Sequence, residues 1–172
     1  VIWIFPPHVF LMKLCQRGVQ MADKKASLEE LLPVMRQVLD SGGRVSFTPN
    51  GISMYPMLCS GRDTVTLKKP DGSLKKYDLP LYRRQNGQFV LHRIVGKNKD
   101  GYIMRGDNQL GNEYGVKHSQ IVGVVTGFIR NGKTYAVTDF AYRLYVVLRC
   151  NPITLFLRRT KYRIKVKLKP VR

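Results

Sequence analysis

The sequence predicts a mainly β fold, an antiparallel barrel or sandwich with one helix before it and an amphipathic helical segment after it. Three observations predict this. From Gly43 onward the apolar residues come in short runs of β type, at 45–48, 64–67, 88–95, 101–104 and 120–130. Turn signals separate them: Pro70-Asp71-Gly72, Asn86-Gly87, Asp100-Gly101 and Asn131-Gly132. No helix-period segment intervenes, so the strands must return on one another by turns, as antiparallel sheets do.

Residues 1–14 are apolar and aromatic, but Pro6-Pro7 interrupts them and the run is shorter than the about 20 residues a spanning helix needs. No basic stretch precedes them and no small-residue cleavage site follows, so they do not read as a signal peptide. Met21-Ala22-Asp23 reads like a natural beginning, and residues 1–20 are expected to be a disordered leader or upstream extension. Segment 21–43 carries one helix. Ser27 caps it, Glu30 completes a capping box, and Leu28, Leu31, Leu32, Met35, Val38 and Leu39 recur at helical spacing until Ser41-Gly42-Gly43 stops it. Pro33 is expected to kink this helix or to move its start by a turn.

The runs and turns above make 44–138 the β domain. In 139–172 helical spacing returns, with Phe140, Leu144, Val147 and Leu148 on one face and Arg143 and Arg149 beside it. Asn151-Pro152 breaks the run, and Arg149 and Pro152 keep any apolar stretch below spanning length. The segment is expected to lie on an interface, or alternatively to cap the β domain.

Composition narrows the function classes. At 44% hydrophobic residues the chain can bury a core and is not a disordered one. Thirty Lys and Arg against eleven Asp and Glu give a formal charge of +19, and ten of the basic residues lie between Arg143 and Arg172, where no acidic residue occurs. Such an end seeks an anionic surface. Its Leu, Val and Ile and its lack of a nucleic-acid motif favour an anionic membrane surface, reached through 139–172, over nucleic acid. A membrane-associated location is therefore expected, with a cytoplasmic one as the alternative. Cys15, Cys59 and Cys150 are odd in number and scattered, which supports neither a disulfide framework nor a zinc site.

Chemistry is expected in Asn50-Gly51-Ile52-Ser53-Met54-Tyr55-Pro56-Met57-Leu58. Gly51 lets the backbone bend closely around Ser53, and Pro56 fixes the exit path. A serine is a poor nucleophile alone, so it needs a base and oxyanion donors. Of the three histidines, His8 lies in the leader, His118 in a polar loop, and His92 within the apolar run 88–95. Alternation puts His92 on the face of Val90 and Ile94, where partial burial disfavours the imidazolium and suits a neutral base. Alone, such a histidine is more often a satisfied core residue.

Ser53-Met54-Tyr55-Pro56-Met57-Leu58, Gly61-Arg62-Asp63-Thr64-Val65, His92-Arg93-Ile94-Val95 and Arg105-Gly106-Asp107-Asn108, in that order, resemble the signal peptidase family of serine proteases. The resemblance is to the branch that has a histidine where ordinary bacterial enzymes have a catalytic lysine, and it covers roughly residues 45–128. It implies a signal-peptidase-like β fold and cleavage of leader or signal peptides after small residues, with no metal or organic cofactor. Ser53 would be the nucleophile, His92 the base and Asp107 the acidic partner, with the Ser53 amide helping at the oxyanion. Glu113 competes with Asp107 for the third place, and Asn108 and Gly51 are supporting positions. Gly51 stands where many members carry a hydroxyl donor, and Arg62 is extra to the usual pattern. Met54, Tyr55, Pro56 and Met57 would line the surface that takes an extended peptide.

Two rivals follow from the same residues. A self-cleaving peptidase with a lysine base would need Lys97 or Lys99, which follow the run 88–95 in a turn-rich stretch. A catalytically inactive module could use the same β fold to hold a membrane surface or nucleic acid through its basic end.

Overall fold

The computed structural model describes residues 3–5 and 28–167. The expected Ser27 cap and all but three residues of the expected leader lie outside them. The three that are described form β1 (Trp3–Phe5), which pairs antiparallel with β2 (Arg44–Phe47). Between them comes α1 (Leu28–Asp40), which carries Pro33 within it and buries Met35 and Leu39. The chain leaves α1 through Gly42 at φ +81, a backbone state glycine reaches without strain, and Gly43 donates to the Val38 carbonyl at 2.9 Å.

Among the described residues, ten strands form two antiparallel sheets. After β2 come β3 (Thr64–Lys68), β4 (Pro80–Arg83), β5 (Phe89–Leu91), β6 (Arg93–Asn98), β7 (Gly101–Arg105) and β8 (Glu113–Val116). A single 3-10 turn, His118–Gln120, leads into β9 (Ile121–Arg130), and a tight turn at Asn131-Gly132 returns it as β10 (Lys133–Ala136). The larger sheet runs β1-β2-β3-β9-β4-β5, with β10 also on β9, and the smaller runs β6-β7-β8. Neither closes, so the barrel alternative is corrected to open sheets. Val45 and Phe47 alternate inward on β2, as do Val65 and Leu67 on β3. The centre of β9, Val122 to Val125, is buried on both faces, which suits its β-branched run.

The run 88–95 is two strands, and His92 is the residue between them, where the chain passes from the larger sheet to the smaller. Every side chain from Val90 to Ile94 is buried, so no single face alternates there. Neither Gly nor Pro marks the change of sheet.

Two helices follow the sheets, α2 (Phe140–Cys150) and α3 (Pro152–Lys167), parted at Asn151. α2 buries Tyr142 and Val146 in the main core with Met35, Leu39 and Phe128. It is thus a cap on the β domain. Its outer face and α3 expose Phe140, Leu144, Leu148, Ile153, Phe156 and Leu157.

Candidate active site

The turn after β2 presents Ser53. Gly51 adopts φ +104, a left-handed state in which a side chain is strained, and its N–H donates to Ser60 Oγ at 2.9 Å. Gly61 donates to the Pro49 carbonyl at 3.2 Å, closing the loop on itself. The fully buried Asp63 locks the base of the loop, accepting from the Cys59 N–H at 2.8 Å and from Arg62 Nε at 2.6 Å. That is the physical content of Gly61-Arg62-Asp63. Under the turn Met54, Met57 and Leu58 are sealed into the main core.

His92 meets this turn at Gly106. A Cβ on Gly106 would lie 3.1 Å from His92 Nε2 and 3.1 Å from Ser53 Cβ, and only 2.6 Å from the Ser53 carbonyl oxygen. Only glycine lets these backbones and the imidazole come so close. The Asn108 N–H then donates to the Ser53 carbonyl at 2.7 Å and fastens the two turns together. Ser53 and His92 line one cleft of about 460 Å³, with Leu91, Arg84, Asn108 and Gln109 among its walls. No side chain among the described residues hydrogen-bonds the Ser53 hydroxyl, so it can rotate toward Nε2.

A polar chain stands behind the imidazole. Tyr82 Oη donates to Glu113 Oε2 at 2.7 Å and lies 3.3 Å from His92 Nδ1. The phenol has one proton, and Glu113 takes it; His92 Nδ1 must therefore be the donor to Tyr82, which leaves Nε2 bare and facing Ser53. Glu113 also lies 4.0 Å from Nδ1 directly. Arg84 holds this carboxylate at 2.8 Å and 2.5 Å, and chiefly that contact keeps its pKa below the ordinary value. Burial pushes His92 down to about 4, against the raising influence of Glu113, so the resting imidazole is neutral.

Asp107 does not touch His92. Its carboxylate accepts from Arg93 Nε at 2.9 Å and from Arg93 Nη2 at 2.8 Å, both side chains being buried. Arg93 also donates to Tyr142 Oη at 2.9 Å, to the Tyr77 carbonyl at 3.1 Å and to Met57 Sδ at 3.0 Å. From α2, Tyr145 Oη donates to Asp107 Oδ2 at 3.3 Å and Arg149 Nε to the Asp107 carbonyl at 2.9 Å. Asp107 therefore makes no hydrogen bond to the imidazole and acts on it only by its charge, which favours the imidazolium. Alternation explains the miss: Arg93, one residue past His92, points the other way and claims the nearer-looking acid.

Of the expected peptide surface, Met54 lines the cleft, but Met57 is a core residue, Tyr55 points to solvent and Pro56 is half-buried outside the cleft. Lys97 and Lys99 are exposed at the far end of β6. Tyr82, Arg84 and Gly106 were not expected. Among them only Gly106 left a signal, its place in Arg105-Gly106-Asp107-Asn108; β4, which carries Tyr82, starts at a proline and was not expected as a strand. Among the described residues, no three His, Cys, Asp or Glu side chains gather to hold a metal. Comparison of the chain with protein-family models, curated proteins and solved structures found no match in any of the three.

Proposed function

We propose that the chain is a serine endopeptidase of the signal-peptidase type, in which Ser53 attacks the peptide carbonyl and His92 is the general base. The meeting of Ser53 and His92 Nε2 over Gly106, in one cleft, carries this reading. His92 Nε2 takes the hydroxyl proton as Oγ bonds to the carbonyl carbon, then delivers it to the leaving amine. Water enters next and the same histidine activates it to release the acyl group from Ser53. Glu113, acting through Tyr82 and across the direct 4.0 Å gap, stabilises the imidazolium that burial alone disfavours. The unpaired outer edge of β5 lines the cleft, so an extended peptide adds there as a strand. Cleavage after small residues remains part of the proposal through the family resemblance.

The second part of the proposal concerns place. Exposed Phe140, Leu144, Leu148, Ile153, Phe156 and Leu157, interleaved with Arg and Lys and free of acidic residues, suit the surface of an anionic membrane. No helix among the described residues is long and apolar enough to cross one. Sedimentation with anionic vesicles that persists at high salt supports apolar seating.

The test is cleavage of a leader peptide ending in small residues, with vesicles present, by the intact chain and by Ser53→Ala and His92→Ala. Loss in both variants with unchanged circular dichroism supports the reading. Cutting that survives Ser53→Ala, or none across a broad precursor set, replaces it with a basic binding module on the same fold.

A further inference from the structure

The geometry points to a second groove, continuous with the cleft of Ser53 and His92, that takes an acidic stretch of the substrate peptide; this rests on the peptidase reading above. The groove has a volume of about 700 Å³, and Leu110, Asn112, Glu113 and Tyr162 of α3 are among its walls. It shares Arg84, Asn108 and Gln109 with the cleft. A chain leaving Ser53 on that side therefore has an unbroken path beneath α3.

Charge selects the occupant. Each carboxylate at the groove is already taken by its own arginine, Glu113 by Arg84 and Asp107 by Arg93. The groove walls themselves carry only the Arg84–Glu113 pair, but four guanidiniums stand about the walls, two of them bonded to wall residues, with no carboxylate of their own among the described residues. Arg105, nearly buried, reaches the neutral Asn112 Oδ1 at 3.3 Å and the Cys150 thiol. Arg149 donates to the Asp107 carbonyl, and Arg159 Nη2 to the Leu110 carbonyl at 2.9 Å, which fastens α3 to the groove floor. Arg158 is half-buried, and its own burial and then the charges of Arg149 and Arg105 pull its pKa down. Mutual repulsion of this kind, in a partly dry place, is relieved by a bound anion. A single phosphate or lipid head group would leave most of a groove of about 700 Å³ empty. A peptide that already crosses the cleft as a strand supplies carboxylates along its length, so acidic side chains beyond the scissile bond fit both the shape and the charge.

The experiment uses two fluorescein-labelled leader peptides that differ only in a run of Glu against a run of Gln on one side of the cleavage site, without vesicles. Anisotropy is read on the full chain and on Ser53→Ala, and kcat/KM on the full chain. At low salt the Glu peptide should bind and be cut about tenfold better when the run lies on one side of the site, and no better when it lies on the other. Arg158→Gln with Arg159→Gln should lower that preference severalfold, whereas the charge-matched pair Lys97→Gln with Lys99→Gln should leave it unchanged. Equal binding of both peptides, or equal loss in the two double variants, overturns the inference while cleavage itself still stands. If neither peptide is cut without vesicles, the anisotropy comparison on Ser53→Ala alone decides whether the groove selects acid, and the peptidase reading stands or falls on its own test.

Discussion

Asp107 turns both carboxylate oxygens to the Arg93 guanidinium, at 2.9 and 2.8 Å, and so braces the site from behind while Glu113 stands 4.0 Å from the His92 ring. Two acids that look interchangeable in the sequence therefore have separable tasks. Substitution can tell them apart.

Asp107→Asn leaves a fully buried guanidinium without its counter-charge, only neutral partners remaining, and breaking such a pair costs about 3–5 kcal/mol. Urea denaturation should show that loss. Glu113→Gln sits on a half-exposed group and should cost little stability but lower kcat about a hundredfold, the scale of general-base assistance. If Asp107→Asn abolished cleavage with its stability intact, Asp107 would be acting on the histidine after all.

Tyr82→Phe keeps the ring and removes the hydroxyl that joins His92 Nδ1 to Glu113 Oε2. The base then loses its fixed tautomer, and kcat should fall at least about tenfold. Because the two residues form one chain, Glu113→Gln should add little in the Tyr82→Phe background. Full additivity in this double-mutant cycle would separate them.

His92 titrates at about 4 in the folded chain against 6.5 as its ordinary value. The unfolded chain binds this proton more readily, so stability is complete above pH 6.5, falls as pH drops from 6.5 toward 4, and levels off below. The whole span is at most about 3 kcal/mol. Glu113, also lowered, adds its own loss further into acid. Denaturation across this window should show the slope in the intact chain and a flatter one in His92→Gln. The acid limb of cleavage should likewise lie near pH 4 and not near 6.5.

Gly106→Ala would push a methyl to 2.6 Å from the Ser53 carbonyl oxygen and 3.1 Å from His92 Nε2. The backbone must shift, at about 1–3 kcal/mol. Activity should fall much further than stability, since the displaced atoms are those that must meet. Cleavage assays and a thermal melt of the same sample check this.

Local pattern made much of the fold legible. Val45 and Phe47, Val65 and Leu67, and the run in β9 announce themselves by alternation or by β-branching, and Asn131-Gly132 marks its hairpin. The short strands β4, β8 and β10 were not legible, because Pro80, Gly115 and a polar Lys133-Thr134 argue against strands that long-range pairing nevertheless forms. Ser53 and His92 stood out by residue type and order. What holds them did not: Tyr82 and Glu113 come from different sheets, and nothing within 31 positions of chain says that they will share a proton. The Arg93 partner of Asp107 was not legible, because spacing cannot say which way a side chain leaves a turn.

The brace from α2 has a consequence in time. A ribosome releases Ser53, His92 and Gly106 well before Tyr142, Tyr145 and Arg149, the residues that complete the surroundings of Arg93 and Asp107. Domains fold as units while chains emerge at about 5–20 residues per second, so the nascent chain spends seconds with its pocket half assembled. Until α2 arrives, Arg93 and Asp107 lack the partners it supplies, so the back wall of the cleft is finished after its front.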